Sequence, residues 1–341
     1  MWHKLFYFIL AIVLIGQFGC NGNRWDVDTS SSDLSIKIQR FELDLFEVSA
    51  DGAFTEDEKE KLKIDYPQLL PLYFQGIMQF GSLSQEQSWQ QLIAFTSNKD
   101  IISLYQAVES EFPENSLDAE VAQMQEGFIR YQHFFPNRVI PQVATMISAF
   151  NYSIAADDSL LIVGLDNYLG EEFKVYAKTG IPQYKFKQFD RKYLVSDALK
   201  AWLTTEFDKE GGKNMLEQMV FQGKVLYLLK AFLPEIDASI FFNYSPEELK
   251  WCEENESKIW FHFVDMELLY SIENFQIRKY LGDAPFISGF PEGSPGRVGQ
   301  WVGFQIVNSY MENNKKESLS DLIVLRDANK ILQQSNYKPR R

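Results

Sequence analysis

The chain has 341 residues, 45% of them hydrophobic and 15% aromatic, and carries a formal net charge of −14. That much apolar and aromatic material excludes a disordered chain. The acidic balance argues against nucleic acid as a partner and against general attraction to anionic lipid headgroups; its plainest reading is a solvated acidic surface.

Lys4 opens the chain with a positive charge, and Leu5–Ile15 follows as an unbroken apolar run of 11 residues. A membrane-spanning helix needs about 20 apolar residues, so this run has the length of a signal-peptide core instead. Gly19 directly before Cys20 resembles the lipobox of bacterial lipoproteins, with Gln17 where Leu is usual and a bulky Phe18. The resemblance implies cleavage after residue 19 and lipidation of Cys20. An ordinary secretory signal ending in a chance cysteine is the alternative. Acyl chains contribute about 0.8 kcal/mol per buried CH₂, so several chains on one residue hold it stably on a bilayer. Residues 20–35, with Ser30, Ser31 and Ser32 in a row, read as the lipidated cysteine and a flexible tether. No acidic run follows Cys20, so the expected position faces the periplasm, on either the inner or the outer membrane.

Residues 36–341 read as a single globular domain, because no Pro/Ser/Gly linker divides them. Ser35–Phe46 alternates apolar and polar residues, which predicts a half-buried strand. Glu56–Phe134 reads as helical, most clearly over Asp118–Phe134, where Val121, Met124, Phe128 and Tyr131 form a stripe that Phe135 extends. Gln142–Ile154 and Ser159–Gly164 are β-rich, joined by a turn at Asp157 and Asp158; the continuous run Leu160–Val163 suits a strand covered on both faces. Lys192–Phe232 then reads as two amphipathic helices, separated by Asp208, Gly211 and Gly212. Gly223 in the second helix has no Cβ and admits a close neighbour. Ser245, Pro246 and Glu248 predict an N-cap, a first-turn proline and a capping box opening a helix to about Tyr270. A Gly/Pro-rich loop over 282–299 precedes a helix over Arg297–Met311, and a short helix and basic tail close the chain. The fold class is α+β, mostly helical, with a small sheet flanked by many helices.

Familiar catalytic patterns are missing. The chain has three histidines: His3 in the signal, and His133 and His262, each without a second histidine nearby. There is no H-E-x-x-H, no C-x-x-C, no G-x-S-x-G and no phosphate-loop spacing around Gly293–Gly299. His133 and His262 fit satisfied positions among aromatic neighbours better than metal ligands. Of the two cysteines, Cys252 is left as a lone and buried thiol if Cys20 is lipidated. Asp157, Asp158 and Asp166 could gather beside a strand end as a carboxylate pair for acid–base work, although turn acids are ordinary surface features.

Six spaced motifs occur in order: Asp166-Asn-Tyr-Leu-Gly, Gln222-Gly-Lys-Val-Leu-Tyr, Tyr244-Ser-Pro-Glu-Glu-Leu-Lys-Trp, Asn255-Glu with Ile259-Trp260, Pro295-Gly-Arg-Val-Gly-Gln-Trp-Val-Gly-Phe-Gln-Ile-Val, and Ser335-Asn-Tyr-Lys-Pro. Together they resemble the gliding-motility lipoprotein GldB family of Bacteroidetes, from Ile36 to the terminus. The resemblance implies a lipid-anchored cell-envelope protein required for gliding, associated with type IX secretion, with no known enzymatic activity and no cofactor. Its implied partners are the membrane, through the anchor, and other envelope proteins of the gliding machinery. The family also resembles zinc-peptidase-like proteins, which implies a degenerate zincin core whose metal site is lost. The positions matched to that site are Ser196, Asp197, Lys200 and Gln222. A protonated lysine at 200 and an uncharged glutamine at 222 are poor zinc ligands. The expected function is therefore docking or assembly without catalysis. The alternative is an envelope hydrolase acting on peptide or cell-wall material through Asp157, Asp166 and Asp197.

Overall fold

The computed structural model describes residues 24–49, 52–207 and 212–340. The signal reading of residues 1–19 and the lipidation reading of Cys20 lie outside the described residues, as do Asp208 and Gly211. The elements in chain order are strand β1 (Ile38–Arg40), helices α1 (Phe41–Val48), α2 (Glu56–Asp65), α3 (Leu69–Leu72), α4 (Glu86–Thr96), α5 (Lys99–Glu111) and α6 (Asp118–Phe134), strands β2 (Gln142–Met146), β3 (Ile154–Asp157) and β4 (Leu160–Gly164), then helices α7 (Leu194–Phe207), α8 (Met215–Phe232), α9 (Ala238–Phe242), α10 (Pro246–Glu254), α11 (Glu256–Asp265), α12 (Asn274–Leu281), α13 (Val298–Asn313), α14 (Leu319–Val324) and α15 (Ala328–Ser335). The fold is α+β and mostly helical, as the sequence predicts.

One sheet of four strands runs in the order β1-β2-β4-β3, parallel except for the antiparallel β3–β4 pair. The Leu160–Val163 run becomes β4, buried along its whole length between two neighbours. A strand without a solvated face cannot alternate. The predicted strand over Ser35–Phe46 is cut to Ile38–Arg40, and helix α1 takes over at Phe41. Phe41 and Leu45 satisfy helical spacing as well as alternation, Phe46 breaks the alternation, and the helix buries all three. The helix expected from Ser245 to Tyr270 breaks at Asn255 into α10 and α11 and ends in a separate turn, Leu268–Tyr270. Its start is as read: Ser245 caps, Pro246 sits in the first turn and Glu248 closes the capping box.

Helices α8 and α13 form the spine of the core. They touch through glycine: a Cβ on Gly223 would lie 2.2 Å from the Gly303 carbonyl oxygen, and one on Gly303 would lie 1.9 Å from that of Met219. The packed backbones leave no room for a methyl group. Around them lies one large cluster of buried residues between Ile36 and Ile331, so the body from residue 24 onward closes its core from its own residues. The stretch read as a tether is docked from Arg24 onward: the Arg24 guanidinium donates to the carbonyls of Met311 and Glu317, and the Trp25 indole donates to the Tyr227 hydroxyl at 2.9 Å. No helix among the described residues is long and apolar enough to cross a membrane.

Candidate functional site

Asp197 and Lys200 stand one turn apart on α7, the helix that packs on β3 and β4. Spacing of three residues puts both side chains on one face. Around them the fold gathers residues from distant segments. Asp197 accepts from the Tyr168 hydroxyl at 3.2 Å and from the Asn243 amide at 3.3 Å. Lys200 donates to the Gln300 side-chain carbonyl at 3.0 Å, and the Gln300 amide donates to the Leu281 carbonyl at 2.7 Å. Arg297 pairs with Asp283 at 3.1 Å, reaches the Asn243 carbonyl and lies over the Tyr244 ring at 5.5 Å.

Local backbone geometry sets this arrangement. Asn243, which ends α9, and Arg297, which precedes α13, both adopt left-handed φ, at 56° and 59°. Such backbone is uncommon for side-chain-bearing residues and persists where surrounding contacts hold it. Here the guanidinium of one grips the carbonyl of the other. The Gly/Pro-rich loop that leads into Arg297 closes tightly on itself: a Cβ on Gly296 would lie 2.5 Å from the Ala284 backbone nitrogen.

The electrostatics follow from enclosure. Asp197 and Lys200 keep partial exposure while protein surrounds their charged ends. Burial pushes the Asp197 carboxyl up, against the attraction of Lys200 and Arg297. Burial and the Arg297 charge pull the Lys200 ammonium down, against Asp197 and Asp283. Two acids and two cations thus meet in one enclosed cluster with interlocked charges. Chemically, each of these charges is answered within the protein: Asp197 by Tyr168 and Asn243, Lys200 by Gln300, and Arg297 by Asp283 and the Asn243 carbonyl.

The positions matched to a zinc site do not assemble a ligand set. Asp197 and Lys200 face each other, Ser196 is buried on the same helix, and half-buried Gln222 joins none of the crevice hydrogen bonds. Lys200 lies where a neutral imidazole would be needed, and it is engaged with Gln300. Among the described residues no group of three His, Cys, Asp or Glu is placed to hold a metal ion. The residues present therefore do not fit zinc.

The other candidates separate. Asp157 and Asp158 are exposed at the β3–β4 turn. Asp166 lies past the opposite end of β4 and is fully buried. It accepts from the backbone N–H groups of Ser148 and Phe150, at 3.3 and 2.6 Å. Ala149 and Phe150 both have left-handed φ, at 52° and 68°, so the loop forms a nest of N–H groups around the carboxylate. Desolvation pushes the Asp166 carboxyl up to about 6. The proposed carboxylate gathering of Asp157, Asp158 and Asp166 is not formed. His133 is exposed against Phe134, and His262 shares a 2.8 Å hydrogen bond with the Tyr280 hydroxyl. Cys252 is buried, and burial pushes its thiol up.

Sequence reasoning missed Tyr168, Asn243, Asp283, Arg297 and Gln300 as partners of Asp197 and Lys200. Tyr168, Arg297 and Gln300 lie inside the ordered motifs, which was the available signal. The family model described as gliding motility protein GldB matches residues 22–339. The chain belongs to the GldB gliding-motility family. No curated protein and no solved structure is detectably similar to it. Membership ties this GldB-family chain to gliding motility, and the family designation is that of a lipoprotein. The interlocked crevice is thus a feature of a motility protein.

Proposed function

We propose that the chain is a lipid-anchored, non-enzymatic docking or assembly component of the gliding and type IX secretion machinery, facing the periplasm. The observation that carries the docking reading is a run of exposed apolar side chains on one stretch of chain. Of 13 exposed large hydrophobics among the described residues, seven fall between Phe261 and Phe286: Phe261, Val264, Met266, Tyr270, Ile272, Phe275 and Phe286. Single exposed hydrophobics are ordinary; this density, six on α11, α12 and their connection and Phe286 in the loop after α12, matches the aromatic anchors of a protein interface. Its occupant in this reading is another envelope protein of the gliding machinery, meeting the stretch through apolar contact. The interlocked charges of the crevice agree with a scaffold, because Asp197 is already engaged by Tyr168 and Asn243.

The test is gliding by cells carrying Phe261→Ser together with Phe275→Ser, with protein level followed by immunoblot. Lost gliding at an unchanged level supports docking through this face. Normal gliding sinks it.

One observation favours an envelope hydrolase: a carboxylate and an amine, both perturbed by enclosure, on one face of α7. Metal content of the chain from Asn21, purified without chelators, decides against or for that reading. Stoichiometric zinc would revive it. Absence of metal, with gliding retained by Asp197→Asn, would remove it.

A further inference from the structure

We propose that the face around Arg24 is the one that rests on the bilayer, and that the groove there receives the headgroup of a phospholipid of net negative charge. The proposal rests on the lipid-anchored reading above. Arg24 follows Cys20 by four residues. A fully extended chain spans about 3.5 Å per residue, so a lipid on Cys20 lies within about 14 Å of Arg24.

Arg24 is fixed on the body. Its guanidinium donates to the Met311 carbonyl at 2.9 Å and lies 4.3 Å over the Trp25 ring. Trp25 stands edge-on to Phe134 and Tyr227, at 5.7 and 6.3 Å. The anchor therefore leaves the body where the end of α13 meets α8, and orientation is set by that point rather than by a long tether.

A groove of about 500 Å³ opens there, lined among others by Arg24, Trp25, Tyr227, Lys230, Met311 and Lys315. It carries three cations and one acid, Glu312, on a chain whose net charge is −14. Neither Lys230 nor Lys315 forms a salt bridge among the described residues, and both are exposed. An anionic bilayer repels an acidic surface, and it attracts lysines held near it. Trp and Tyr beside those lysines have the apolar body and polar edge that suit the headgroup level. Charge, aromatic content and the reach of the anchor coincide at one place.

The test is vesicle flotation at low salt with the chain from Asn21, which retains the body that closes its own core. Binding is expected to vesicles of phosphatidylcholine with phosphatidylglycerol, and not to phosphatidylcholine alone. Lys230→Gln and Lys315→Gln are each expected to lower partitioning about fivefold, from about 1 kcal/mol per cation near an anionic surface. Lys61→Gln, at an exposed lysine of α2 that does not line the groove, is expected to leave partitioning unchanged. Equal binding to neutral vesicles, or equal losses for all three variants, would overturn the proposal. Inorganic phosphate that competes more strongly than chloride at matched ionic strength would also overturn it, by showing a free-phosphate site. Mass spectrometry of the Cys20 peptide from full chain in its own envelope separates the two readings. Acylated Cys20 without vesicle binding sinks this face alone; unmodified Cys20 sinks the anchor and this proposal together.

Discussion

Asp166 and Asp197 are both enclosed carboxylates beside the short segment that follows β4, and both are pushed up by burial. They differ in what answers the charge. Asp166 has no exposure and is held by backbone N–H groups of one loop. Asp197 keeps partial exposure and is answered by side chains from three distant segments, with two cations in its field. Burial of an acid therefore does not by itself mark a site. A carboxylate satisfied by local backbone organises a loop; one satisfied by side chains from distant segments ties those segments together.

Both acids belong to a body whose spine is the α8–α13 contact, and the largest expected effect comes from breaking that contact. Gly303→Ala places a methyl group 1.9 Å from the Met219 carbonyl oxygen, so α8 and α13 must separate. Overpacking of this severity is expected to destabilise by about 3–4 kcal/mol, measured by urea denaturation. A loss below about 1 kcal/mol would show that the spine yields easily.

Asp166→Ala comes next. It leaves the N–H groups of Ser148 and Phe150 without their acceptor and removes the group that holds two left-handed residues in place. A loss of about 3 kcal/mol is expected, less the gain from no longer burying a charge. A loss no larger than that of Asp197→Ala would erase the distinction between the two acids.

The same acid predicts a pH dependence of definite sign. The folded protein binds the Asp166 proton up to about pH 6, whereas an ordinary aspartate carboxyl releases it near 3.8. Its contribution is favourable at low pH and is lost as pH rises through the window from about 4 to 6. The stability difference between the native chain and Asp166→Asn is therefore expected to shift by about 3 kcal/mol between pH 3 and pH 7, in the direction that favours the variant at pH 7. Parallel stability curves across that range would remove the buried-charge account.

The contrast also explains what the sequence made legible. The α7–α8 pair, the Asp118–Phe134 helix, the Ser245 capping box and the buried β4 rest on signals within a few residues, and each was readable. The close approach at Gly223 was readable because only a missing Cβ permits it. β1 is over-extended in the sequence reading because Phe41 and Leu45 fit two periods at once. The crevice was legible only in part. Asp197 and Lys200 share a helix face, but Asn243, Asp283, Arg297 and Gln300 reach them through tertiary folding, and no local spacing encodes that meeting. The nest under Asp166 depends on left-handed backbone at Ala149 and Phe150, where neither residue type advertises it.

The smallest expected effect is the most discriminating. Lys200→Met removes a buried ammonium, leaves the aliphatic stem packed in place and leaves Asp197 with Tyr168, Asn243 and the field of Arg297. Replacing one partner of a buried charge pair strands the other when no further charge is near. Arg297 is near, so the change in stability is expected to stay within about 1 kcal/mol, as the loss of lysine desolvation offsets the lost attraction. Gliding should then persist if the crevice is only a strut between α7, the Gly/Pro-rich loop and α13. Lost gliding by a stably folded Lys200→Met protein would instead place recognition in the crevice, and would move the docking face from the exposed aromatics of α11 and α12 to the charges around Asp197.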